Sequence, residues 1–263
     1  YIKALAKAYE REQSPAAKDA IAQILTNSSM AAEGHRPICQ DTGIATVFLE
    51  IGQDVRFDTR RSLQKLIDEG VRRAYTNPDN PLRASVLRDP AGKRQNTRDN
   101  TPAVVHVELV PGNKVEVICA AKGGGSENKA KMAMLNPSDS LVDWVLKTVP
   151  TMGAGWCPPG ILGIGIGGTP EKAMLLAKKS LMAPVDIHEL QARAERGEEL
   201  STAERLRLEL YDKVNALGIG AQGLGGLTTV LDVKVLDYPT HAASLPVAMI
   251  PNCAATRHVH FTL

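Results

Sequence analysis

The chain has 263 residues, 43% of them hydrophobic and 23% charged, enough for a substantial core, with nothing in the composition that indicates disorder. Its 31 basic residues nearly balance 29 acidic ones, for a net charge of +2, so no global field argues for nucleic acid or an anionic membrane, and an anionic ligand must be caught by local groups. No apolar run is long enough to span a bilayer or act as a secretory signal, although the start at Tyr1 without a methionine leaves room for a leader.

In chain order, residues 1–32 predict a helix, with Ala16, Ala20 and Ile24 at four-residue steps, and "IATVFLEI" (44–51) predicts a strand. Within "RRSLQKLIDEGVRRAY", Leu63, Leu66, Ile67, Val71 and Ala74 fall on one helical face. A polar connection (76–102) leads to strands at 103–110 and 114–121, and the Pro-Gly-Asn between them predicts a hairpin. "KGGGSENKAKM" reads as a loop entering a helix, and "SDSLVDWVLKTV" as a helix with its own N-cap. Helices are expected at 170–182 and 186–217, the second a solvated amphipathic excursion marked by Leu190, Leu200, Leu206 and Leu210. Strands at 227–236 and 246–251 follow. The mixed order predicts an α/β or α+β fold, a single mixed-sheet domain with flanking helices.

Four short stretches carry chemistry. "GAGWCPPGILGIGIGGT" (153–169) stiffens the chain after Cys157 with two prolines and strips side chains from the run that follows, as a shaped pocket or a tight turn into a buried strand would require. "ICQDTGIA" (38–45) sets a thiol, an amide and a carboxylate beside a glycine. Its Asp-Thr-Gly occurs once, whereas an aspartic protease needs two such carboxylates sharing a proton. "AKGGGSENK" (121–129) fits neither GxxxxGK[ST] nor GxGxxG, yet its three glycines leave backbone amides open to an anion or a cluster. "PNCAATRH" (251–258) places Cys253 at the end of a short strand.

Four cysteines with no CxxC pair exclude a disulfide scaffold and a zinc finger, and point to a reducing compartment. Cys39, Cys157 and Cys253 each sit in a turn of small residues or proline, whereas Cys119 lies inside a strand pattern. Three thiolates from distant turns suit an iron–sulfur cluster with one iron left for substrate, since an electron-transfer cluster would take a fourth.

Together "CQDTG", "AKGGGSENK", "GAGWCPPGILGIGIGGT" and "HAASLPVAMIPNCAATRH" resemble the class I, iron–sulfur-dependent fumarate hydratases and the α subunits of the related tartrate dehydratases, from about residue 30 to the end. The resemblance implies a [4Fe–4S] cluster on Cys39, Cys157 and Cys253, whose fourth iron acts as a Lewis acid on a hydroxy-dicarboxylic acid. It also implies that Gln40 and Asp41 reach the substrate, with Asp41 a candidate in proton transfer, and that Arg83 clamps a carboxylate through its two-pronged fork. His241 and the backbone of Gly123 and Gly124 would lie against the same ligand. Fumarate and malate are the favoured pair, tartrate to oxaloacetate the alternative. A non-catalytic cluster module is the other class of reading, against which Gln40, Asp41 and Arg83 argue, because a structural cluster has no use for a carboxylate clamp.

Single-chain members of that family continue into a second domain that brings a threonine proposed as base and further cationic contacts. Nothing here matches it, so the expectation is a C-terminal domain or β subunit supplied from elsewhere, with the abrupt "RHVHFTL" and the missing methionine favouring a piece of a single-chain enzyme. A cytoplasmic protein is expected, or a mitochondrial one if a leader precedes Tyr1, and a homodimer that covers an exposed apolar face.

Overall fold

The structure, a computed structural model, describes residues 1–263. Its elements are α1 (Ile2–Arg11), α2 (Pro15–Glu33), β1 (Ile44–Gly52), α3 (Leu63–Tyr75), β2 (Leu87–Arg88), β3 (Gln95–Asn96), β4 (Val104–Val110), β5 (Val115–Lys122), α4 (Gly124–Glu127), β6 (Lys131–Leu135), α5 (Leu141–Thr148), β7 (Gly160–Gly167), α6 (Pro170–Ser180), α7 (Ile187–Glu195), α8 (Thr202–Ala216), β8 (Val230–Tyr238), β9 (Leu245–Asn252) and β10 (His258–Thr262). They form two compact units, one of residues 1–29 and 125–256, the other of residues 30–124 and 257–263. The mixed helix and sheet class is as expected, but the strands divide over two four-stranded sheets and the short β2-β3 pair instead of one sheet. Each sheet has its own core, and alternation along a strand shows which face is buried without showing against which neighbours.

In the first unit the sheet order is β6-β9-β7-β8, with β7 parallel to β8 and antiparallel to β9. The glycines of β7 explain themselves here. Leu162 and Ile164 point into a core built with Trp156 and with α5, α7 and α8, while a Cβ on Gly163 or Gly165 would lie 2.2 Å from the Ala177 carbonyl oxygen or 2.0 Å from that of Ala173. The missing side chains let the backbone of α6 dock on the strand. Gly165→Ala is therefore expected to cost about 1–3 kcal/mol, because the obstructing atoms are backbone and the helix must move as a whole. Urea unfolding measures this, and an unchanged midpoint would contradict the close packing.

Three expectations change in this unit. The helix predicted over 1–32 breaks before Pro15, which lacks an N–H and opens α2 instead of continuing α1. The glycine loop leads into the four-residue α4 and then into strand β6, which pairs with β9, and not into a long helix. Residues 186–217 form two helices parted at Gly197 (φ +73°) and restarted by a Ser201/Glu204 capping box. These are no solvated excursion: Leu190, Leu210, Tyr211 and Val214 are core residues.

The second unit has sheet order β10-β5-β1-β4, with α3 packed over Val47, Leu49, Ile51 and Val117. The predicted hairpin does not form. β1 lies between the two strands, parallel to β4 and antiparallel to β5. The Pro-Gly-Asn link arches over the end of β1, held by Gln53 N donating to the Val110 carbonyl (2.8 Å) and Asp54 N to that of Gly112 (2.9 Å). β1, apolar apart from Thr46 and Glu50, is the better central strand, because both of its faces are largely buried. Strand β10 was not expected, although Val259 and Phe261 alternate with His258, His260 and Thr262.

Candidate active site

The Cys39-Gln40-Asp41-Thr42-Gly43 turn precedes β1 and owes its shape to Asp41. One carboxylate oxygen accepts from Gly43 N (2.9 Å), closing the turn, and the other accepts from Gly124 N (2.7 Å), fixing the glycine loop that follows β5. A Cβ on Gly123 would stand 3.2 Å from Asp41 Oδ2 and from Arg257 Nη2, so the loop lies flat against both side chains. Arg257 also donates through Nη1 to the Asp41 carbonyl, while its Nε is buried without a partner.

Arg83 enters from the loop before β2. The Thr42 hydroxyl donates to the Arg83 carbonyl, Tyr75 OH donates to the Thr42 carbonyl (2.7 Å), and the wholly buried Asn100 accepts from Ser85 N (2.7 Å) and donates to the Gly43 carbonyl (3.0 Å). Gln40, Asp41, Gly43, Ile44, Arg83, Ser85 and Gly124 line one cavity of about 360 Å³. The Arg83 side chain is exposed there and takes part in no salt bridge. A carboxylate, a carboxamide and an unpaired guanidinium thus face one space the size of a small metabolite.

Cys39 borders this turn, half-buried, with its thiol donating to Gln40 Oε1 at 3.4 Å. Cys157 and Cys253 belong to the other unit, where their turns are joined directly: Ala254 N donates to the Cys157 carbonyl (3.0 Å). Cys157 itself is exposed in a left-handed conformation (φ +56°), an uncommon position for a residue with a side chain. The Pro158 carbonyl beside it accepts from both N and Nε2 of Gln222, each at 2.7 Å. Tyr1 OH donates to the Ala254 carbonyl (2.5 Å), and burial, then the neighbouring Cys253, push its pKa up. Cys119 differs from these three. It lies inside β5 and faces the apolar space under α3, where burial pushes its thiol pKa up.

His241 belongs to the first unit, whereas every residue lining the Asp41 cavity belongs to the second. It is exposed in the first unit, beside a different cavity of about 480 Å³ with Lys172, Tyr238 and Thr240, and its Nδ1 accepts from Ala243 N (3.1 Å). Within neither unit does a group of three or more His, Cys, Asp or Glu side chains stand at metal-holding spacing, and neither unit holds all three turn cysteines. The donor set still fits an iron–sulfur cluster in kind: three thiols outside any disulfide, all at turns, two of those turns hydrogen-bonded to each other, with soft sulfur ligands throughout. Tyr75 and Asn100, which hold the loops of the cavity through hydrogen bonds, carry no motif that would have singled them out, whereas Thr42 belongs to the Cys-Gln-Asp-Thr-Gly stretch.

The family model described as fumarate hydratase (fumerase) matches residues 1–262. The chain belongs to the fumarate hydratase (fumerase) family. Among its relatives, the protein named "Putative L(+)-tartrate dehydratase subunit alpha" of Methanocaldococcus jannaschii is 37% identical over 97% of this chain and 87% of its own length. The anaerobic class I fumarate hydratase of Escherichia coli K12 is 34% identical over 90% of the chain, and the L(+)-tartrate dehydratase subunit alpha of Escherichia coli UTI89 is 29% identical over 88%. The fumerase-family chain described here spans 43% of that fumarate hydratase and 74% of that tartrate dehydratase subunit. No helix in it is long and apolar enough to cross a membrane.

Proposed function

We propose that this chain is the cluster-bearing part of a hydro-lyase that interconverts fumarate and malate. The observation that carries the reading is the cavity in which Gln40, Asp41 and Gly124 face the unpaired Arg83. Its guanidinium fork suits one carboxylate of a dicarboxylic acid, and Gln40 can donate to or accept from the same molecule. Asp41 gives one lone pair of each oxygen to a backbone N–H and keeps the others for a substrate hydroxyl or a proton in transfer. Cys39, Cys157 and Cys253 would hold a [4Fe–4S] cluster, which when bound supplies Lewis acidity at the iron left without a cysteine. Gly123 and Gly124 offer backbone to the ligand, and His241 is retained as a ligand contact on the family resemblance alone.

Tartrate is the second reading, favoured by the two relatives named as tartrate dehydratase α subunits. Those names also support a complementary β subunit or C-terminal domain that completes the site. The free cysteines support a reducing compartment, the cytoplasm, and a homodimer is supported by apolar side chains left exposed along β4, such as Leu109.

Anaerobic reconstitution with the complementary half, followed by turnover of fumarate, malate and tartrate, tests the substrate. Iron analysis of four variants tests the cluster. Cys39→Ser, Cys157→Ser and Cys253→Ser are expected to lose it and Cys119→Ser to keep all four irons. An intact cluster in Cys157→Ser with loss in Cys119→Ser would overturn the assignment.

A further inference from the structure

One side chain ties the two walls of the Asp41 cavity together. Asn100 is wholly buried and sits at φ +61°, a conformation that asparagine tolerates better than most residues. Its Oδ1 accepts from Ser85 N (2.7 Å) and Val86 N (3.2 Å), so it fixes the backbone two and three residues after Arg83. Its Nδ2 donates to the Gly43 carbonyl (3.0 Å), two residues after Asp41. Gly43 and Ser85 are themselves cavity walls. Three of the four hydrogen bonds open to a carboxamide are made, all of them to the two loops that carry the charged groups.

Resting on the reading of Arg83 and Asp41 as substrate contacts, we propose that Asn100 is a positioning residue that sets the Arg83 guanidinium against the Asp41 carboxylate at the span of a four-carbon dicarboxylic acid. The geometry requires an amide at this position. A carboxylate could accept from Ser85 and Val86 but would turn an oxygen toward the Gly43 carbonyl, and an apolar residue would leave two part-buried backbone N–H groups and the buried Gly43 carbonyl without this partner. Thr42 makes the second tie through its hydroxyl on the Arg83 carbonyl, so the two loops are joined at two points. A dicarboxylate bridging Arg83 and Asp41 is sensitive to a displacement of either loop of well under the length of a C–C bond, whereas a ligand held by one loop alone is not.

A double-mutant cycle in the reconstituted holoenzyme separates positioning from mere stabilisation. Asn100→Gly deletes the amide without adding strain at a positive φ. With Arg83 present it is expected to lower kcat/KM for malate by about tenfold or more, chiefly through KM, and in an Arg83→Ala background by less than about threefold. Asn100→Asp should fall between wild type and Asn100→Gly. Equal losses in both backgrounds would refute the positioning role while leaving Arg83 a ligand. An Arg83→Ala enzyme as active as wild type would remove the reading of Arg83 and the proposal with it. Should Asn100→Gly not fold, Thr42→Val removes the other tie, and the same non-additive loss with Arg83→Ala is expected from it.

Discussion

Asp232→Ala is expected to lower the stability of the chain by about 3–5 kcal/mol, the loss typical of breaking a buried ion pair from one side. Asp232 is wholly buried in β8, where Oδ2 accepts from Asp186 N (2.9 Å), Ile187 N (3.2 Å) and Lys234 Nζ (3.0 Å), and Oδ1 from Arg207 Nη2 (3.2 Å). Arg207 in turn donates through Nε to the Val233 carbonyl (2.8 Å). The carboxylate thus joins the start of α7 to α8 and to its own strand, and its loss leaves two helix N-terminal amides and much of a buried lysine's charge uncompensated. The pair Lys213–Glu209, half-exposed on the outside of α8, is worth only about 0–1 kcal/mol by comparison. Urea unfolding compares the two, and an Asp232→Ala loss as small as that of Glu209→Ala would show the network to be dispensable. Asp186 adds a pH dependence. Burial opposes its ionisation, but hydrogen bonds from Lys234 and Arg207 outweigh that and hold its carboxyl below the ordinary value. Its contribution is therefore complete above the ordinary carboxylate pKa and is lost as pH falls through the lowered one, so Asp186→Asn should flatten the acid limb of the stability profile.

Arg83→Ala is the variant expected to separate function from folding most sharply. Its side chain is exposed at the cavity and takes part in no internal ion pair, so the melting temperature should hardly move. In the complete enzyme, by contrast, kcat/KM for malate is expected to fall by the equivalent of about 2–5 kcal/mol, the cost of removing one partner of a desolvated charge pair. Arg83→Lys keeps the charge but not the planar fork, and should lie between alanine and wild type. The Thr42 bond to the Arg83 carbonyl survives both substitutions, which isolates the guanidinium as the cause. A loss within about twofold, under roughly 0.5 kcal/mol, would withdraw Arg83 as a substrate ligand.

Local chemistry was legible in the residues and long-range pairing was not. The glycine run of β7 reads as a shaped pocket or a tight turn into a buried strand, and what its missing side chains make room for is α6. The amphipathic stripe from Leu63 to Ala74 gave α3, because one buried face imposes a helical period. The Pro-Gly-Asn link misled, since turn residues report that the chain reverses and not whether a third strand lies between the arms. Residues 186–217 read as a solvated amphipathic excursion because the dense glutamates and arginines around Leu190, Leu200, Leu206 and Leu210 hide how completely the narrow apolar face is covered. At the cavity, Asp41 stands in a chemistry-bearing stretch and Arg83 stands out only through the family resemblance, whereas Asn100 bonds only to backbone groups far from it in sequence. Such a residue leaves no local pattern.

The division of the chain into units has a consequence for synthesis on the ribosome. The sheet that carries Asp41 draws β1, β4 and β5 from residues 44–122, but its edge strand β10 comes from residues 258–262, laid antiparallel along β5. At the usual 5–20 residues per second, the roughly 130 residues between them delay that strand by on the order of ten seconds. During that interval the nascent sheet presents the unpaired edge of β5, with Val115 and Val117 beside it, to every other chain in its surroundings. Yield in a cell should accordingly depend on what shields that edge while the tail is still being made, and slowing translation through residues 125–256 should cost more soluble protein than slowing it before residue 44.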